Sequence, residues 1–132
     1  MANPKLHVFD AGIYPRRLFV VRGKGKEKAI KEAFCTFDGE ELDGLEKSVI
    51  DFAGAITWRK VKFRENGWLG ALVWLVEDSS PKSLAHEAVH VACGFFEQIG
   101  IDMSYEHDEH FAYMVQWVTE CLWKVVTGKG QD

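Results

Sequence analysis

The run His86-Glu87-Ala88-Val89-His90 is the clearest chemistry-bearing group in the chain. On a helix, His86 and His90 stand one turn apart on one face, where two imidazole nitrogens can reach a single metal ion at about 2.0–2.1 Å. Glu87 lies one position round from His86, beside that face. A carboxylate so placed addresses a water on the metal without competing as a ligand, which is the general-base role in a metallopeptidase. The competing explanation is a pair of core histidines bonded to backbone carbonyls. Three polar side chains on one face are costly to bury without partners, and a metal removes that cost. A metal site is therefore the expectation.

A zinc ion that does chemistry takes three protein ligands and keeps a fourth position open. The candidates for the third are Glu106, His107, Asp108, Glu109 and His110. A helix through this segment gathers Glu109, Ala112, Tyr113 and Gln116 on one face, with Phe111, Met114, Val115 and Val118 on the other side as core. The small Ala112 would let two helices approach closely, and Tyr113 would bring a phenol to the same site. Glu109 is the first candidate ligand, His110 the second and His107 the third; either histidine reads equally as a surface or helix-start residue. Tyr113 or Tyr105 is a candidate donor to a tetrahedral oxyanion, and each serves as well as an aromatic with a satisfied hydroxyl. Two histidines and a carboxylate suit Zn2+, with iron the main rival.

The elements that must hold these residues read as β-β-α-β-β-α-α, an α+β pattern. "KLHVFD" and "RRLFVV" are β-rich runs separated by Gly12 and Pro15, two strands joined by a turn. "GKEKAIKEAF" switches to helical spacing, with Ala29, Ile30, Ala33 and Phe34 as its apolar stripe. The polar, acidic stretch from Cys35 to about Ser48 carries no assignment. "AITWRKVKF", then Arg64-Glu65-Asn66-Gly67, then "WLGALVWLVE" is a hairpin signal, with Asn-Gly supplying the positive φ angles of a tight turn. The first arm alternates Trp58, Lys60 and Lys62 against Arg59, Val61 and Phe63, so one face should be wet; the second is apolar on both faces and should lie deeper. Ser80 before Pro81 is a strong helix start and Gly100 a stop, which predicts a helix over Pro81–Ile99. A last helix should begin between Ser104 and Asp108 and run to about Thr127, ending at Gly128.

At 132 residues the chain suits one domain, and 47% apolar content with 9 Phe, 5 Trp and 3 Tyr is ample for a core. The net charge of −4 argues against a nucleic-acid partner. The basic run Arg22-Gly23-Lys24-Gly25-Lys26 gives way at once to Glu27 and reads as a solvated loop. Cys35, Cys93 and Cys121 are odd in number and widely spaced, which fits a reducing compartment; Cys93 and Cys121 read as small core residues. Neither a signal-peptide core nor an apolar run of the ~20 residues that span a bilayer is seen, so a cytoplasmic protein without a membrane partner is expected.

Together these features resemble the gluzincin branch of the zincin metallopeptidases, in which a glutamate on the helix after His-Glu-x-x-His completes the site. More closely, the chain is similar to small phage- and prophage-encoded zinc metallopeptidases. That likeness is carried by "VFDAGIYPRRLFVV", "GAITW", "GALVWL", "SLAHEAVHVA" and "DEHFAYMVQWV", which cover most of the chain. It implies a minimal zincin-like fold, a small twisted sheet packed against an active-site helix and a C-terminal helix. It further implies His86, His90 and Glu109 as zinc ligands, Glu87 as base, and a Leu69–Val76 strand bordering the cleft and holding extended peptide. His110 departs from the family's pattern, where a small or turn-forming residue is more usual after the third ligand. The function implied is hydrolysis of a peptide bond in a peptide or protein substrate of unspecified identity. By analogy with other small intracellular zincins, that substrate could be a repressor. The alternative is a catalytically silent zinc-binding protein acting as an interaction module. The presence of Glu87 favours the enzyme, and none of the cysteines is spaced for a closed structural site.

Overall fold

Residues 18–21 and 71–75 are apolar at every position, a pattern that suits strands covered on both faces. The computed structural model describes residues 6–46, 54–77 and 80–128 and covers both faces. Five strands, β1 (Leu6–Asp10), β2 (Arg17–Arg22), β3 (Phe34–Cys35), β4 (Ala55–Phe63) and β5 (Leu69–Leu75), form one sheet in the order β1-β2-β5-β4-β3. β2 and β5 pair in parallel and the other neighbours antiparallel. On one face, Leu18, Val20, Ala71, Val73 and Leu75 pack under helices α2 (Pro81–Ile99) and α3 (Glu109–Thr127). On the other, Phe19, Val21, Val61, Leu72 and Trp74 meet Ile30 of α1 (Glu27–Ala33), Phe34 and Leu42. The architecture is α+β, as expected, with helices on both faces of a mixed sheet. No described helix is long and apolar enough to cross a membrane.

The stripe predicted for the first helix ends one residue early. Phe34 turns to extended backbone (φ −129°, ψ 154°) and opens β3, where its ring packs edge-on against Phe19 at 5.1 Å between centroids. The hairpin forms with Arg64-Glu65-Asn66-Gly67 as its loop, as read, but Asn66 does not share the positive φ expected of the Asn-Gly pair. Gly67 alone takes a positive φ, +76°, and its N–H bonds the Phe63 carbonyl, so four residues, 64–67, make the loop. The Asn66 side chain instead accepts from the Trp68 N–H at 3.0 Å.

The alternation read in β4 does not survive. Trp58 stands opposite Leu72 and Val61 opposite Gly70, so two residues of β4, Arg59 and Lys60, face one of β5. An extra residue moves every later side chain to the other face. Ile56, Trp58, Val61 and Phe63 thus share the α1 side. Gln98 of α2 clamps this bulge, its Nε2 donating to the Arg59 carbonyl at 2.7 Å and the Gly70 carbonyl at 2.9 Å. Its Oε1 accepts from Arg16 Nε at 2.6 Å. Gly94 permits the close approach: a Cβ there would stand 2.6 Å from the Arg59 carbonyl oxygen.

Cys121 lies on the inner face of α3, and burial pushes its thiol up to about 12, so it stays protonated and inert. Alkylation of native protein with iodoacetamide at mildly alkaline pH, mapped by mass spectrometry, should leave Cys121 unmodified. Labelling as fast as that of the unfolded chain would mean that α3 is not packed as described.

Candidate active site

α2 forms where local signals agree. Ser80 Oγ accepts from the Ser83 N–H at 3.4 Å, Pro81 occupies the first turn, and Gly100 closes the helix at φ +76°. Leu84, Ala88, Val91, Ala92, Phe95 and Phe96 form its buried face. This seating leaves His86 exposed and His90 half-buried on the flank. Their Nε2 atoms stand 3.2 Å apart, with ring centroids at 4.8 Å and planes at 77°. The explanation as core histidines bonded to backbone carbonyls is set aside, because neither ring is buried and each is the other's partner. Two nitrogens each about 2.0–2.1 Å from one tetrahedral ion stand roughly 3.3 Å apart. The pair therefore matches two adjacent corners of such a site.

Glu87 turns about 100° round the helix from His86, toward β4. It is only 9% exposed, and its Oε1 accepts the Thr57 hydroxyl at 2.6 Å. One carboxylate oxygen is thus anchored. Glu87 and His86 share an open hollow of about 330 Å³ with Gly54, Ala55, Lys82 and Ser83, between the start of β4 and the first turn of α2. Thr57 has no motif around it to mark its role, and nothing in its neighbours along the strand would have suggested it.

The second half of the expected site lies elsewhere. α3 runs antiparallel to α2: Phe111 packs on Phe96 at 5.6 Å between centroids, and at the far end Arg22 of β2 donates to the Val125 carbonyl. Phe96 is six residues beyond His90, about 9 Å along the helix, and Glu109 lies further still. The face expected to carry the ligand is also the outer one. Glu109, Ala112, Tyr113 and Gln116 are exposed, Tyr113 to 64%, while Met114 and Val118 are buried and Phe111 and Val115 pack at the margin of the core. Ala112 therefore does not mark the helix contact. His110 is exposed in the same first turn, and Tyr105 is fully exposed in the short 3-10 turn Tyr105–His107. The side chain of His107 lies outside what the structure describes. Among the described residues, no three His, Cys, Asp or Glu side chains are grouped so as to hold a metal. The residues present thus fit two ligands of a zinc site and leave the third unassigned.

The strand beside the histidines also differs from expectation. β5 is an interior strand, paired on one side with β2 and on the other with β4, and Gly70 to Leu75 are buried. It offers no free edge. β4 takes the outer position next to α2, because β3 pairs only with its last two residues, Lys62 and Phe63. From Ala55 to Lys60 its outer edge has no strand partner among the described residues. Compared with models of known protein families, with curated proteins and with solved structures, the chain matches none.

Proposed function

We propose that the chain is a zinc-dependent peptidase of the zincin kind, with His86 and His90 holding the metal and Glu87 as general base. The observation that carries this is the 3.2 Å separation of the two Nε2 atoms, beside a carboxylate that, among the described residues, is anchored through one oxygen. Zinc in such a site supplies Lewis acidity that activates water and polarises a carbonyl. Thr57 fixes the carboxylate, and the free Glu87 Oε2 takes a proton from water and returns it to the leaving amine nitrogen. Extended substrate lies along the outer edge of β4, which from Ala55 to Lys60 has no strand partner among the described residues.

A second reading, a zinc-holding interaction module without catalysis, is favoured by the outward orientation of Glu109 and Tyr113. In that case the remaining coordination positions are open to a partner's side chains. Elemental analysis of protein purified without chelators tests both. Wild type and Glu87→Gln are expected to retain close to one zinc per chain, and His86→Ala close to none. Loss in Glu109→Ala makes Glu109 a ligand; retention leaves the third position to another group. Wild type without zinc, even after zinc is added back, would overturn both readings.

A further inference from the structure

One turn beyond His90, α2 borders a second hollow of about 380 Å³, open to solvent. Its walls are Cys93, Phe96, Ile101 and Met103, and Arg59 and Glu97 stand at its rim. Arg59 Nη1 lies 3.5 Å from Glu97 Oε1, and both side chains are about half exposed, so the two charges largely offset each other. Phe96 belongs to the core cluster and Ile101 packs against it, which makes these two walls firm. Met103 is 57% exposed and unbranched, a wall that adapts to what it touches.

β4 links this hollow to the first. Ala55 lines the hollow that holds His86 and Glu87, Thr57 anchors Glu87, and Arg59 lines the second. These three residues occupy the stretch of β4 whose outer edge lacks a strand partner among the described residues. An unpaired strand edge pairs with another extended backbone, and a peptide so paired sends side chains to the flanks at about 3.4 Å per residue. Cys93 is three residues past His90, about 4.5 Å along the helix. The hollow therefore opens one to two peptide residues away from the histidine pair.

We infer that this hollow is the side-chain selectivity site of the proposed peptidase and receives a large apolar residue, such as leucine, methionine or phenylalanine, of a peptide extended along β4. The assignment rests on the peptidase reading and adds the substrate class. Its walls offer apolar contact, and its rim has no uncompensated positive charge to select an acidic side chain, while Asp102 at the margin disfavours one.

The test uses full-length Glu87→Gln in zinc-containing buffer and fluorescein-labelled hexapeptides Ala-Ala-Ala-X-Ala-Ala, with X as Leu, Phe, Gly, Lys or Asp. Binding is read by fluorescence anisotropy. Leu and Phe peptides are expected to bind at least about ten-fold more tightly than Gly or Asp, the gain of one buried apolar side chain. Adding Met103→Asp, at an exposed position, should reduce that ratio to below about three-fold, and Cys93→Trp, which fills the hollow, should do the same. Equal affinity for every X, or a preference that neither substitution moves, overturns the selectivity site and leaves the peptidase reading standing. If no peptide binds, both fall.

Discussion

Gly70→Ala is expected to lower the melting temperature by more than about 10 °C. Gly70 lies at the start of β5, opposite Arg17 of β2 and Val61 of β4. A Cβ on Gly70 would overlap the Arg17 carbonyl oxygen and fall 2.9 Å from its backbone nitrogen. Both are backbone atoms of a paired strand, so no side-chain rotation relieves the overlap. The strands must part at the end of the parallel β2–β5 ladder. The Gly70 carbonyl would also shift from Gln98 Nε2, which holds the β4 bulge from the other side. Overpacking in a close-packed interior costs about 1–3 kcal/mol, and displaced sheet pairing raises this to about 4 kcal/mol, out of a typical 5–15. Gly54→Ala is the control: nothing lies within 4 Å of its Cβ and its φ is not positive, so it should change stability by less than about 0.5 kcal/mol. Thermal unfolding followed by circular dichroism measures both. A Gly70→Ala protein melting within a few degrees of wild type would mean that β2 and β5 do not meet at Arg17.

What was legible in the sequence is local. Ser80-Pro81 and Gly100 bound α2 at both ends because caps act within one turn, and the His86–His90 relation follows from helical pitch alone. The position of β5 was not legible, since it depends on parallel pairing with β2 about fifty residues earlier, which leaves no mark in either strand beyond continuous apolarity. The bulge at Arg59–Lys60 is set by Gln98, thirty-nine residues away from Arg59. Without that clamp the sequence of β4 reads as plain alternation. α3 shows a different failure. Its spacing marks the inward residues, but the small Ala112 on the opposite face is not the point of helix contact its size suggests. A helix packed on one core has one inner face, and the wider apolar stripe of Phe111, Met114, Val118 and Leu122 takes it. Glu109 and Tyr113 are carried outward as a consequence.

Glu87→Gln separates the two functional readings most sharply. Its hydrolytic rate, kcat/KM on a peptide library followed by mass spectrometry, is expected to fall about 10³-fold with zinc content unchanged. Glu87 Oε1 already accepts the Thr57 hydroxyl at 2.6 Å, and the amide oxygen of glutamine can keep that bond. The Gln NH2 then replaces the free carboxylate oxygen, and an amide cannot take a proton from water at neutral pH. The side chain keeps its shape and seat and loses only its basicity. Thr57→Val makes the complementary change: the carboxylate stays, but its anchor goes, and with it the fixed direction of the free oxygen. A loss of about ten-fold in kcat is expected there, with KM and zinc little changed, because misorientation weakens proton transfer without removing it. If Glu87→Gln loses zinc, Glu87 is a ligand and the base must be sought elsewhere. Unchanged hydrolysis in Glu87→Gln would deny it any catalytic part. Zinc bound with no hydrolysis in wild type favours the interaction module, and the Thr57–Glu87 hydrogen bond is then a fastening between α2 and β4 alone.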